Sequence, residues 1–251
     1  MRICTLASGS SGNSLFVETE NTKILVDAGI SVKQLNTRLN SLGVCMSEID
    51  LVVITHEHTD HASALPYINK IPVYVASTTV HLWKCKVENL KEFEIGTPFW
   101  VNDILITPFP VPHDACDPVG FTVETDHTKI GVVTDIGSVT ALVRERLKGS
   151  NILVVEFNHD EKMLLYGSYP WDLKQRIKGR LGHLSNGEAA GLLKDLIHNG
   201  LRHVFLAHLS QRNNTPDMAL RSVYSTLGKD VLEQVKIYVA PRKTLGEVVI
   251  G

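Results

Sequence analysis

Six short apolar segments of this chain each run directly into an ionisable side chain. Asp27 follows Lys23–Val26, His56 follows Leu51–Thr55, His113 closely follows Ile104–Val111, Asp135 follows Ile130–Thr134, Glu156 follows Ile152–Val155 and His208 follows Val204–Ala207. Short β-branched runs of this kind read as strands. Side chains just beyond the carboxyl end of a strand leave the core while staying anchored to rigid backbone, which is where α/β sheets assemble ligand sites. Six such exits predict one shared rim.

Further strand-like segments are Ile3–Leu6, Leu15–Val17, Val73–Ala76, Gly120–Glu124, Lys236–Val239 and Glu247–Ile250. Helical patterns interrupt them. Ser31 precedes Val32, Leu35, Leu39 and Leu42, which fall on one helical face, with Gly43 as a left-handed stop. Ser185 and Glu188 form a capping box ahead of Ala189, Leu192, Leu193 and Leu196, with a stop predicted near Asn199–Gly200. Thr215-Pro216 opens another helix through Ala219, Val223 and Leu227. The strands are too many, and too often joined directly, for a doubly wound parallel sheet, so a layered α/β sandwich is predicted. No linker or repeat divides the 251 residues, which predicts a single domain over 1–251.

The formal charge of −2 gives no global basic surface for duplex nucleic acid or anionic lipid, so any attraction to phosphate is local. Cys4, Cys45, Cys85 and Cys116 are widely spaced, which argues against a disulfide framework or zinc ribbon and predicts buried small hydrophobes. No segment approaches the ~20 apolar residues of a membrane span, and the first residues lack a signal-length apolar run. A cytoplasmic location is expected.

The densest chemistry lies in Thr55-His56-Glu57-His58-Thr59-Asp60-His61, behind the apolar strand Leu51–Ile54. In extended chain, His56 and His58 point to one side. A turn at Thr59-Asp60, followed by a helix through Ala62, Leu65 and Ile68, brings Asp60 and His61 around a second point. His113, Asp135 and His208 complete five histidines and two aspartates, enough for two sites of three or four ligands each. Imidazole and carboxylate without thiolate suit Zn, Mn or Fe. Two divalent ions ~3.5–4 Å apart, bridged by a carboxylate, would share an acidified water and clamp an oxyanion, which is metal-assisted hydrolysis.

In this order, His56, His58, Asp60, His61, His113, Asp135 and His208 resemble the metal motif of the metallo-β-lactamase superfamily. The resemblance implies a four-layer αββα sandwich with the site between the tops of two sheets. It further implies His56, His58 and His113 on one ion, Asp60, His61 and His208 on the other, Asp135 as the bridge, and Asp27 hydrogen-bonding the ligand loop behind them. A metal-bridging hydroxide would be the nucleophile.

Three features resemble the phosphodiester-cleaving branch of that superfamily. His61 stands where true lactamases commonly carry another residue, His208-Leu-Ser-Gln-Arg212 is similar to the tRNase Z pattern H-F-S-x-R, and Glu156 with His183 is similar to that family's glutamate–histidine pair. The pair is implied to protonate the leaving oxygen, although His183 also reads as a neighbour of the helix cap at Ser185. Asp60, Glu156 and His183 thus form the expected catalytic set, with Ser210 and Arg212 expected to steady the site or substrate phosphate. The segments SGSSGNS, VVEFNHDEKML and SYPWDLKQRIKGRLGHLSNGEAA resemble the bacterial YycJ/WalJ-type proteins, a family associated with 5′-to-3′ DNA exonuclease activity and mismatch repair. Residues 136–207, between Asp135 and His208, are too few to hold a β-CASP domain.

Lys174, Arg176, Lys178 and Arg180, with Tyr166, Tyr169 and Trp171 upstream, offer phosphate partners and stacking faces, or else a solvated helix. Ser8–Ser14 offers a phosphate cradle or an ordinary tight turn. The function expected is a dinuclear, metal-dependent phosphodiesterase, a 5′-to-3′ DNA exonuclease in DNA repair with nucleic acid as its partner. Two alternatives stay open: a thioester or lactone hydrolase of glyoxalase II type, and a non-catalytic DNA-repair binding module that retains metal.

Overall fold

A computed structural model describes residues 1–84 and 86–251. Among the described residues, fourteen strands form two seven-stranded sheets. The first holds β1 (Arg2–Ala7), β2 (Ser14–Glu18), β3 (Lys23–Val26), β4 (Leu51–Val53), β5 (Val73–Ala76), β6 (Leu90–Phe93) and β14 (Val248–Ile250), in the order β14-β1-β2-β3-β4-β5-β6. The second holds β7 (Phe99–Val101), β8 (Ile104–Pro110), β9 (Val119–Glu124), β10 (Lys129–Val133), β11 (Ile152–Glu156), β12 (His203–Ala207) and β13 (Lys236–Val239), from β7 at one edge to β13 at the other.

The two sheets repeat one plan. In the first, β1, β2 and β3 form an antiparallel meander and β4, β5 and β6 add in parallel to β3. In the second, β8, β9 and β10 form the meander and β11, β12 and β13 add in parallel to β10. This pattern makes the shared rim. β3 and β4 point the same way, as do β8, β10, β11 and β12, so the strand exits within each sheet lie at one end.

Residue alternation builds three apolar layers between four layers of structure. Ile24, Val26, Leu51 and Val53 of the first sheet meet Ile130, Val132, Ile152 and Val154 of the second in the central core. Leu25 and Val52 point outward against Leu35 and Leu39 of α1 (Val32–Ser41). On the far side, Leu153, Val155 and Leu206 pack against α3 (Ala141–Leu147), α6 (Asn186–Leu196) and α7 (Pro216–Thr226). Central strands buried on both faces read as continuous apolar runs, which is why they were legible. The architecture is the αββα sandwich.

Shorter helices are α2 (Thr59–Ala62), α4 (Glu161–Tyr166), α5 (Trp171–Lys178) and α8 (Lys229–Gln234). The capping boxes at Ser31 and Ser185 form as expected, and Gly43 adopts φ 76°. The helix expected through Ala62, Leu65 and Ile68 is instead α2 followed by a separate 3-10 turn over Leu65–Tyr67. α6 stops at Leu196 rather than near Gly200, because Ile197 is already extended. The edge strands β6 and β7 escaped sequence reading, since neither buries a full apolar face. Cys4 is buried, but Cys45 is exposed and Cys116 half-buried, against the expectation of buried thiols; Cys85 lies outside the described residues. Among the described residues, no helix is long and apolar enough to cross a membrane.

Candidate metal centre

The strand exits converge. The candidate ligand atoms of His56, His58 and His113 lie within 4.8 Å of one another, and so do those of Asp60, His61 and His208. Asp135 forms a further set with His56 and His61, placing its carboxylate between the two groups. His56 stands 4.5 Å from His58 and 5.2 Å from His113 between ring centroids.

Each core histidine is gripped through Nδ1. Thr55 Oγ1 lies 3.0 Å from His56 Nδ1, Asp27 Oδ2 lies 2.7 Å from His61 Nδ1, the Gly182 carbonyl lies 3.0 Å from His113 Nδ1, and Glu156 Oε1 lies 2.9 Å from His208 Nδ1. Such partners fix ring orientation and tautomer, as metal-ligating histidines require. The opposite nitrogens, Nε2 of His56, His113 and His208, are buried without a hydrogen-bond partner. Orphaned buried polar atoms cost roughly 1–3 kcal/mol each, and a cation on the deprotonated nitrogens would satisfy them at once. The donor set therefore fits divalent metal.

The electrostatics agree. Burial would raise the Asp135 carboxyl, yet the surrounding His208 and His61 rings hold it well below the ordinary aspartate range. Burial would lower His208, but Asp135, Asp60 and Glu156 draw a proton to it and raise it to about 10. His61, between Asp135 and Asp27, is likewise pushed well above its ordinary value despite burial. His56 and His113 move down, chiefly because burial disfavours their charged forms. The carboxylates make the pocket electronegative around His61 and His208, which favours a cation there.

Local backbone explains how the ligands are presented. Asp27, Asp135 and His208 adopt φ of 63°, 52° and 54°, left-handed turns one or two residues beyond their strands. This conformation is costly for a non-glycine residue and concentrates at functional sites. Asp27 Oδ1 accepts from the Thr55 amide at 2.8 Å, tying the first strand exit to the ligand loop. Gly29 allows close approach beneath that loop: a Cβ there would sit 1.6 Å from the Asp60 carbonyl oxygen.

Glu156 is the hub of the second sheet's contribution. It is fully buried, and its Oε1 lies 2.8 Å from His183 Nδ1 as well as 2.9 Å from His208 Nδ1. Its Oε2 accepts from the Ile136 and Leu184 amides, both at 3.1 Å. Burial would raise this carboxyl, but His183 above all, with His208, brings it down to about 2. In turn, burial would lower His183, and the Glu156 carboxylate raises it.

A cleft of about 320 Å³ opens above the cluster, lined by His58, Asp60, His113, Asp135, His183 and His208, with Ser210 at its side. Arg212 does not line it; its guanidinium lies 5.7 Å from the centroid of Tyr169, which does. Ser8–Ser14 folds as a tight turn: the Gly12 and Asn13 amides donate to the Gly9 and Asp60 carbonyls, and the Gly9 amide to Asn13 Oδ1, so these three amides are occupied within the protein. Its polar side chains serve the ligands instead. Ser8 Oγ accepts from the His208 amide at 2.7 Å, and Asn13 Nδ2 lies 3.0 Å from His61 Nε2.

Sequence reasoning missed several residues around the cleft. Asn158 Nδ2 donates to the His208 carbonyl at 3.2 Å. Asp114 pairs with Arg176 and so ties α5 to the loop after His113. Asp114 adjoins the candidate ligand His113 and was within reach of sequence reading. Asn158 carried no such signal, because asparagines are common in loops.

Comparison with known proteins places these features. Residues 22–209 match the family described as the beta-lactamase superfamily domain. Over 235 residues the chain is 34% identical to exodeoxyribonuclease YycJ of Bacillus anthracis, covering 90% of this chain and 89% of that protein. Among solved structures, the metallo-beta-lactamase fold protein YhfI from Bacillus subtilis superposes with TM-score 0.77 at 15% identity, over 100% of this chain and 98% of that one. The short form of human tRNase Z superposes with TM-score 0.69 at 16% identity over the full length of both chains. The structural likenesses speak for the fold, and the sequence match for kinship. This chain belongs to the beta-lactamase superfamily and has the metallo-β-lactamase fold.

Proposed function

We propose that this protein is a dinuclear metal-dependent phosphodiesterase that acts on DNA, a 5′-to-3′ exonuclease of the YycJ/WalJ kind serving DNA repair in the cytoplasm. The observation that carries the reading is the Glu156–His183 pair, joined at 2.8 Å, with His183 on the wall of the cleft beside the candidate ligand cluster and Glu156 buried behind it.

His56, His58 and His113 would hold one ion and Asp60, His61 and His208 the other, with Asp135 between them. When bound, Zn or Mn ions supply an acidified water and neutralise phosphate charge. The chain's own residues do the rest. Glu156 stabilises the protonated imidazole of His183 and orients it, while Leu184 and Ile136 amides hold Glu156 itself. As water attacks phosphorus and the opposite P–O bond breaks, His183 gives its proton to the departing oxygen. A positioned acid of this kind contributes roughly 10²–10⁴ in rate. Asp27 and Thr55 keep the ligand loop in place, and Ser210 faces the substrate phosphate.

A built acid favours this reading over a thioester hydrolase. Thiols ionise near ~8.5, so a thiolate departs near neutrality without a proton, whereas an alkoxide needs one. A purely structural metal site would need neither the acid nor the open cleft. Kinship with a named exodeoxyribonuclease at 34% identity supports DNA as the substrate. Assays on 5′-phosphorylated single- and double-stranded DNA, RNA, a small phosphodiester and a thioester test it. Turnover of DNA is expected, and nuclease silence with thioester turnover would reject the reading.

A further inference from the structure

α5 walls the cleft on one side only. Leu173, Arg176 and Ile177 face the cleft, whereas Trp171, Lys174, Gln175 and Lys178 line a separate groove of about 370 Å³ between α5 and α4. The two recesses are thus one helix diameter apart, about 10 Å.

We propose that this groove is a second binding site, which seats single-stranded nucleic acid continuous with the strand whose phosphate lies in the cleft. The proposal rests on the nuclease reading above.

Three features define the occupant. Tyr166 and Trp171 present flat apolar faces at 82% and 61% exposure, where bases can stack. Lys162, Lys174 and Lys178 border those faces. Among the described residues, the lysines that pair with carboxylates are Lys23, Lys129 and Lys148, so these three keep their charge for a ligand. Lys174 reaches the Leu165 carbonyl at 2.8 Å, which joins the two helices without neutralising it. Third, His159 on the groove wall is 2% exposed, and its Nδ1 has no hydrogen-bond partner. Glu161 is the groove's one acid, and its carboxylate lies within 3.4 Å of the Ser185 hydroxyl.

Aromatic faces interleaved with unpaired cations match a polyanion with stacking rings. They do not match a second copy of the chain, because a two-fold contact would set each lysine cluster against itself. They suit an apolar helix equally poorly, since such a partner offers the lysines nothing.

Fluorescence anisotropy with a labelled, cleavage-resistant phosphorothioate twenty-mer measures the site directly, using the metal-loaded full chain. Tyr166→Ala/Trp171→Ala should weaken binding about tenfold or more, the scale of one to two lost stacking contacts. Lys162→Ala/Lys178→Ala should reduce the slope of log K against log salt by about 1.4, at about 0.7 per phosphate contact on single strands. Hydrolysis of a 5′-phosphorylated dinucleotide, too short to reach the groove, should stay unchanged in both variants, which also shows that they fold. Unchanged twenty-mer binding in both variants overturns the proposal, and dissociation of an oligomer in its place assigns the face to a second copy. A wild type that binds the twenty-mer through this groove yet cleaves no nucleic acid would overturn the nuclease reading and leave the groove standing.

Discussion

Asp27 and Asp135 follow the corresponding strands of the two sheets, one residue beyond β3 and two beyond β10, and together they clasp His61. Asp27 Oδ2 lies 2.7 Å from Nδ1 of that ring and Asp135 Oδ2 lies 3.0 Å from Nε2. Both aspartates are left-handed, at φ 63° and 52°. Asparagine tolerates this backbone nearly as well as aspartate, so Asp→Asn isolates the charge from the conformation. Asp27→Asn should keep the fold and lower metal affinity by about 10- to 100-fold, the usual effect of losing a support behind a ligand. Chelator competition measures it, and unchanged affinity would show that Asp27 serves the fold alone.

The shared rim was legible because its logic is local. Each of Asp27, His56, Asp135, Glu156 and His208 ends an apolar run that strand periodicity exposes, and the His56–His61 spacing is dense enough to stand out. What escaped depends on three-dimensional packing. The double role of Glu156, on both His183 and His208, needs β11, β12 and the chain before α6 to meet. Ser8 and Asn13 look like turn residues in sequence, and they are, but their side chains also brace His208 and the Asp60 loop. Strands β6 and β7 were invisible because Leu90–Phe93 is split by Lys91 and Glu92 and Phe99–Val101 is three residues long, so neither makes an apolar run.

Glu156 and His183 should separate in mutants. His183→Ala should leave metal content unchanged and slow turnover by roughly 10²–10⁴. Glu156→Gln should slow turnover and also loosen metal, because the same oxygen lies 2.9 Å from His208 Nδ1. Metal analysis beside steady-state kinetics checks both, and metal loss in His183→Ala would make that residue a ligand or a support.

Gly29 lies against the Asp60 carbonyl, with no room for a Cβ. Gly29→Ala should displace the Asp60–His61 turn, at a cost of about 1–3 kcal/mol from overpacking. Thermal unfolding with and without added metal reads this out. The metal-dependent part of the stability should shrink more than the rest.

Cation uptake should release protons. His208 is raised to about 10 and His61 is raised well above its ordinary value, so both carry protons at neutral pH in the protein alone and must lose them to ligate. Affinity should therefore rise as pH increases from 6 toward 9, and titration in weakly buffered indicator dye should show acid liberated with each addition of Zn²⁺. Uptake without acid release would contradict the electronegative pocket.

Elemental analysis of the chain purified without chelator, beside His61→Ala, bears most directly on whether these side chains gather a pair of ions. About two divalent ions per wild-type chain, falling to about one in the variant, is the predicted result. A single ion in both proteins, or two retained without His61, would contradict it.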